Sequence, residues 1–170
     1  MNKLILVGYM GSGKSFLGDI VSKKLEIPFF DLDNIIENRT KMSINELFST
    51  KGELYFRKLE HEIFSELINQ KKAAVISTGG GTPCYYNNHL LLQNQTSIYL
   101  KASIDLLVER LNNSNDRPIL ANIKSEELHE FIAKQLFERS FYYLNCNHVL
   151  NIDNKPTDDL VSEILKCYST

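Results

Sequence analysis

Eight residues near the N-terminus, Gly8-Tyr9-Met10-Gly11-Ser12-Gly13-Lys14-Ser15, match G-x-x-x-x-G-K-[ST] in full. The glycines let the backbone curl with its N–H groups inward, and a helix opening at Lys14 adds partial positive charge, so the segment reads as an anion nest. The chemistry is nucleoside triphosphate binding: Gly8, Gly11, Ser12 and Gly13 wrap the phosphates, with Phe16 counted alongside them. Lys14 reaches the β- and γ-phosphates, and the Ser15 hydroxyl ligates the Mg²⁺ that bridges them. A chance match to this pattern in a chain this long has a probability of about 1% or less. Such a cradle does not by itself separate a kinase from a GTPase, an ATPase or an inactive descendant.

Three further groups could receive what the cradle holds. Asp31 and Asp33 close the run Phe29-Phe30-Asp31-Leu32-Asp33, and a spacing of two puts both carboxylates on one side if the chain stays extended. Asp31 then suits a water-mediated Mg²⁺ contact and Asp33 suits orienting or deprotonating an acceptor hydroxyl; an Asp N-cap for a helix near Asn34–Arg39 explains the pair equally well. Arg57, in Gly52-Glu53-Leu54-Tyr55-Phe56-Arg57-Lys58-Leu59-Glu60, has Glu53 at i−4 and Glu60 at i+3. It is either a surface ion pair or a fork for a substrate carboxylate held in place by Glu60. Gly79-Gly80-Gly81 ends an apolar run, and three glycines there favour close ligand approach over a merely flexible turn.

Short apolar runs must position these groups. Strands are expected at 4–7, 28–31, 73–78, 96–100 and 149–152, alternating with segments of helical period, which predicts an α/β fold: a three-layer αβα architecture with a central five-stranded parallel sheet. The first helix starts near Lys14, with Phe16/Ile20 and Leu17/Val21/Leu25 as an apolar stripe on the sheet. Ser43-Ile44-Asn45-Glu46 is a capping box, and a longer helix covers about 53–69. Helices are also expected at about 103–111, 126–143 and 157–167. The polar connection 112–124 between two of them is the longest and is expected to be mobile.

Composition excludes several classes. The chain has 170 residues, 43% hydrophobic, enough for one domain with a sizeable core. Nineteen Lys+Arg against 21 Asp+Glu leave a charge of −2, which argues against nucleic acid as the main partner. No apolar run approaches the roughly 20 residues of a spanning helix, and none resembles a signal-peptide h-region, so no membrane association and a cytoplasmic location are expected. Cys84, Cys146 and Cys167 have neither CxxC nor nearby His and read as free thiols. His61, His89, His129 and His148 lack metal-ligand spacing.

In order, the P-loop, Asp31-x-Asp33, Gly52-Glu53-x-x-Phe56-Arg57-x-x-Glu60, Gly79-Gly80-Gly81 and Arg117-Pro118-Ile119-Leu120 resemble the shikimate kinase family over nearly the whole chain. The resemblance implies a nucleoside-monophosphate-kinase-like P-loop fold with strand order 2-3-1-4-5. It makes residues 1–170 a single kinase domain, with an acceptor-binding segment at about 33–60 and a mobile lid at about 112–124. It also implies transfer of the ATP γ-phosphoryl group to the 3-hydroxyl of shikimate in aromatic amino-acid biosynthesis, with Mg²⁺ as cofactor and a monomer as the working unit. Under it Lys14, Asp33 and Arg117 are catalytic. Asp33, Arg57, Gly79, Gly80, Gly81 and Arg139 bind shikimate, while Arg110 and Arg117 serve the nucleotide. An exposed helix charge remains the alternative for Arg139, and a helix C-terminal cation for Arg110. The rival functions are a GTPase-type switch, for which Asn154-Lys155-Pro156-Thr157 is a near miss to Asn-Lys-x-Asp, and a kinase for another acceptor such as gluconate or a nucleoside monophosphate.

Overall fold

A computed structural model describes residues 2–112 and 125–169. Five strands form one parallel sheet: β1 (Lys3–Val7), β2 (Phe29–Asp31), β3 (Ala74–Ser77), β4 (Thr96–Lys101) and β5 (His148–Asn151), in the order β2-β3-β1-β4-β5. This is the expected order. Leu4 faces Val75 on one neighbour and Thr96 on the other, so β1 is the central strand.

Alternation along β1 explains why an unbroken apolar run is needed. Leu4 and Leu6 join Ile98 and Leu100 under α1 (Lys14–Leu25), α6 (Ile104–Asn112) and α8 (Thr157–Ser169). Ile5 and Val7 point the other way, with Ile76 and Tyr99, under α2 (Leu32–Thr40), α3 (Ile44–Lys51), α4 (Glu53–Asn69) and the end of α7 (Ser125–Tyr143). A strand covered on both faces has no solvent side on which to place polar residues. The capping box at α3 is present: Ser43 Oγ accepts from Glu46 N at 3.2 Å and Glu46 Oε2 accepts from Ser43 N at 2.7 Å.

One expectation is corrected, and two elements are added that the sequence does not predict. Phe16 is 60% exposed and does not pack on the sheet; α1 buries Leu17, Gly18 and Val21 instead, leaving Phe16 at the mouth of the cleft described below. The segment between β3 and β4 contains a 3₁₀ turn at Thr82–Cys84 and a short helix, α5 (Asn88–Leu92), neither of which a periodicity of so few residues can reveal.

Gly18 sets how closely α1 approaches β2. A Cβ there would lie 2.5 Å from Phe29 Cε2, with two more ring atoms within 3.3 Å. Gly18→Val should therefore lose about 1–3 kcal/mol to overpacking, more than better helix propensity returns, and lower the urea midpoint with an unchanged m value. A midpoint equal to that of the parent would show that the ring moves aside freely.

Candidate active site

The loop between β1 and α1 curls because Gly11 and Gly13 adopt φ of 84° and 88°, the left-handed region that side chains disfavour. α1 then begins with Leu17 N donating to Gly13 O at 2.9 Å. Lys14 is buried, and its Nζ donates to Gly8 O at 2.8 Å and Tyr9 O at 3.0 Å. Ser12 Oγ is buried with no hydrogen-bond partner among the described residues. Amides, a buried ammonium and a spare hydroxyl converge where phosphate oxygens would be bound. They line a cleft of about 550 Å³ that also takes in Phe16, Asp31, Asp33 and Gly80.

Ser15 and Asp31 meet at the edge of this cradle. Ser15 Oγ donates to Asp31 Oδ2, and Ser77 Oγ, at the end of β3, lies 3.4 Å from Ser15 Oγ. Two hydroxyls and a carboxylate form a hard-oxygen donor set beside the phosphate nest, which suits Mg²⁺.

The two aspartates divide their work differently from the extended reading. Asp31 ends β2 and its Oδ1 accepts from Asn34 N at 3.2 Å, so it caps α2, which starts at once with Leu32. Asp33 thus sits in the first turn of a helix rather than on a strand. The helical turn carries it over Gly79, where a Cβ would fall 2.9 Å from Asp33 Oδ1. Burial, reinforced by the nearby Asp31 and Glu60 carboxylates and opposed by Lys14, pushes the Asp33 carboxyl up to about 6.

The three glycines are needed for space, since none of them has a positive φ. A Cβ on Gly79 would also come within 2.9 Å of Glu60 Oε1, one on Gly80 within 3.3 Å of Arg139 Nη1, and one on Gly81 within 2.6 to 2.8 Å of the Arg57 guanidinium. The turn after β3 therefore collects Asp33, Glu60, Arg57 and Arg139 at one place. Arg57 is only 8% exposed, which excludes the surface-pair reading. Its Nη1 donates to Glu60 Oε2 at 2.8 Å, and Glu60, fully buried, accepts from Thr82 Oγ1 at 2.6 Å through its other oxygen. Burial works against the Arg57 charge, and Glu60, aided by Tyr85 and Glu53, more than offsets it, holding the guanidinium above its ordinary range.

Arg139 is half-buried near the end of α7, with its guanidinium carbon 5.5 Å from the Tyr9 ring centroid. One helical turn later the fully buried Tyr143 donates to Gly80 O at 2.5 Å. Sequence reasoning missed Tyr143 because its partner is 63 residues away. Arg110 Nη1 donates to Gly11 O at 2.9 Å, bringing this exposed arginine onto the loop. Arg117 and the connection 113–124 lie outside the described residues. Beyond β5, Ile152, Lys155 and Thr157 line the cleft wall. The near miss to Asn-Lys-x-Asp thus falls on the nucleotide cleft, but with a Thr hydroxyl where the base-reading carboxylate would be.

A parallel sheet in this order, with a phosphate nest at the end of its central strand, defines a P-loop nucleotide-binding fold. A family model described as shikimate kinase matches residues 10–169. The shikimate kinase of Flavobacterium johnsoniae is 54% identical over 97% of this chain and 98% of its own length. The crystal structure of shikimate kinase from Bacteroides thetaiotaomicron superposes with a TM-score of 0.92 at 34% identity, covering 99% of both chains. The solved structure of Acinetobacter baumannii shikimate kinase in complex with shikimate gives 0.87 at 28% identity, over 98% of this chain and 92% of the other. The chain belongs to the shikimate kinase family.

The raised Asp33 titration has a consequence for stability. Its ordinary value is 3.8 and its folded value about 6. Between them the folded chain holds a proton that the unfolded chain has released, so stability falls as pH rises through this window and stays lowered above it. Asp33→Asn removes that cost. At pH 8 the variant should be more stable than the parent by about 1–3 kcal/mol, with the gap closing toward pH 4. Urea denaturation at pH 4.5 and 8 measures this, and an Asn variant less stable at pH 8 would contradict it.

Proposed function

We propose that the chain transfers the γ-phosphoryl group of ATP to the 3-hydroxyl of shikimate, giving shikimate 3-phosphate and ADP, in aromatic amino-acid biosynthesis. The observation that carries this reading is the meeting of Asp33, Arg57 and Arg139 on the glycine turn beside the phosphate nest. A small acceptor with both a carboxylate and a hydroxyl uses all three. The arginines take the carboxylate, Arg57 through the guanidinium edge that Glu60 leaves available. Asp33 then faces the hydroxyl.

At neutral pH a carboxyl titrating near 6 is mostly ionised yet basic enough to accept a hydroxyl proton as the oxygen becomes nucleophilic. That oxygen bonds to the γ-phosphorus, the bond to the β,γ-bridging oxygen breaks, and ADP leaves with the electron pair. Lys14, from its buried position, balances charge on the β- and γ-phosphates. Ser15 directly, and Asp31 through water, would hold Mg²⁺, whose charge stabilises the transferring phosphoryl group. Phe16, Arg110 and the loop amides bind the nucleotide, and Arg117 adds positive charge to the transferring group. Residues 1–170 act as one domain, with an acceptor segment at about 33–60 and a lid at about 112–124. Among the described residues no helix is long and apolar enough to cross a membrane, and we place the enzyme in the cytoplasm as a monomer.

A coupled ADP-release assay across shikimate, quinate, gluconate and nucleoside monophosphates tests the assignment, and absence of shikimate-dependent turnover would overturn it. In the same assay Arg57→Ala should raise the shikimate KM about 10- to 100-fold, the equivalent of roughly 1.5–3 kcal/mol for a charge-assisted clamp, with the ATP KM within twofold of the parent. Arg57→Lys should also be poor, because an ammonium cannot reproduce the planar fork.

A further inference from the structure

Above the acceptor end of the cleft stands a residue that none of the motifs contains. Tyr85 follows the 3₁₀ turn that carries Thr82, and its ring centroid lies 4.3 Å from the guanidinium carbon of Arg57, nearer than the rings of Phe56 at 5.0 Å or Phe48 at 5.7 Å. Its hydroxyl donates to Glu53 Oε1 at 2.9 Å, and the same oxygen accepts from Arg57 Nε at 3.4 Å. Ring, hydroxyl, carboxylate and guanidinium therefore close a loop of contacts around one cation.

We propose that Tyr85 is a positioning residue for the acceptor site, holding the plane of the Arg57 guanidinium through its ring and, through Glu53, fixing the Nε edge. This rests on the reading of Arg57 as the acceptor carboxylate clamp. Glu60 alone fixes only Nη1, which leaves the guanidinium free to swing about that contact. A face contact and a second hydrogen bond remove that freedom, so the remaining N–H groups are aimed before the acceptor arrives, and less ordering is left for the binding step. Burial, with the hydrogen bond to Glu53 adding to it, raises the Tyr85 hydroxyl above its ordinary range, so it remains a donor through neutral pH. Tyr85 is 37% exposed and belongs to neither core cluster. Replacing it therefore disturbs the site without hollowing the interior.

Steady-state kinetics of Tyr85→Ala and Tyr85→Phe, alone and combined with Arg57→Ala, test this. Loss of an aromatic face from a partly desolvated cation should raise the shikimate KM about three- to tenfold in Tyr85→Ala. The ATP KM and the melting temperature should stay near those of the parent, and Tyr85→Phe should recover at least half of the loss because it keeps the ring. In the Arg57→Ala background Tyr85→Ala should add nothing further. An unchanged shikimate KM, an equal rise in both KM values, a Phe variant as impaired as the Ala variant, or full additivity with Arg57→Ala would each overturn the role of Tyr85. Absence of shikimate turnover in the parent enzyme would instead overturn the functional reading, and this role with it.

Discussion

The pair between Arg57 and Glu60, sealed under the turn that follows β3, is the contact on which the proposed acceptor half of the molecule depends. Two opposite charges removed from water are costly, and losing either partner strands the other, a penalty of about 3–5 kcal/mol. Every neighbour serves to make the pair tolerable. Thr82 supplies the hydrogen bond for the second oxygen of Glu60, Glu53 meets the Nε edge, and aromatic rings cover the guanidinium. A turn with side chains could not approach so closely, which is why three glycines stand there. The 3₁₀ turn that presents Thr82 is itself held by Asn88, whose Nδ2 donates to Thr82 O at 2.9 Å.

Function follows from how this acceptor half is joined to the nucleotide half. Both lie beyond the carboxyl ends of parallel strands, where an open α/β sheet places its ligands, yet different elements build them. β1 and α1 form the phosphate nest, whereas α2, α4, α7 and the turn after β3 carry the residues of the proposed acceptor end. Asp33 belongs to both, touching the glycine turn and lining the nucleotide cleft. Its raised titration arises from burial at that shared position, reinforced by Asp31 and Glu60 and opposed by Lys14. The overall charge of −2 does not bear on the proposed chemistry, in which anion recognition falls to a few local cations, Lys14 and Arg57 buried among them, rather than to a long-range field.

What was legible in the sequence is what local spacing encodes. The P-loop, the five short apolar runs, the capping box at Ser43 and the helix of α4 follow from residues within one or two turns of each other, and the strand order follows from the family resemblance. Long-range proximity was not legible. Arg57 has the same i−4 and i+3 partners in a surface pair as in a buried clamp, and only Thr82 and Gly81, more than 20 residues further on, distinguish the two. Tyr143 and Tyr85 look like ordinary aromatic residues until the fold brings Gly80 and Arg57 to them. The extended and the N-cap readings of the Asp31/Asp33 pair stay open in the sequence because the side chain that starts the helix, that of Asp31, is also a plausible strand end. Phe16 fits the apolar stripe by spacing, but lies where α1 leaves the sheet for the cleft.

The proposed acceptor site depends on the room that the glycine turn leaves for a buried arginine, independently of the phosphate nest. Gly81→Ala addresses it directly, since the added methyl would fall within 2.8 Å of the Arg57 guanidinium while lying outside the loop that holds the nucleotide. Equilibrium titration of the variant with shikimate and, separately, with a non-hydrolysable ATP analogue should show shikimate affinity reduced at least about tenfold, the order of one charge-assisted hydrogen bond, with analogue affinity unchanged. Shikimate affinity equal to that of the parent, or a parallel loss for both ligands, would contradict it.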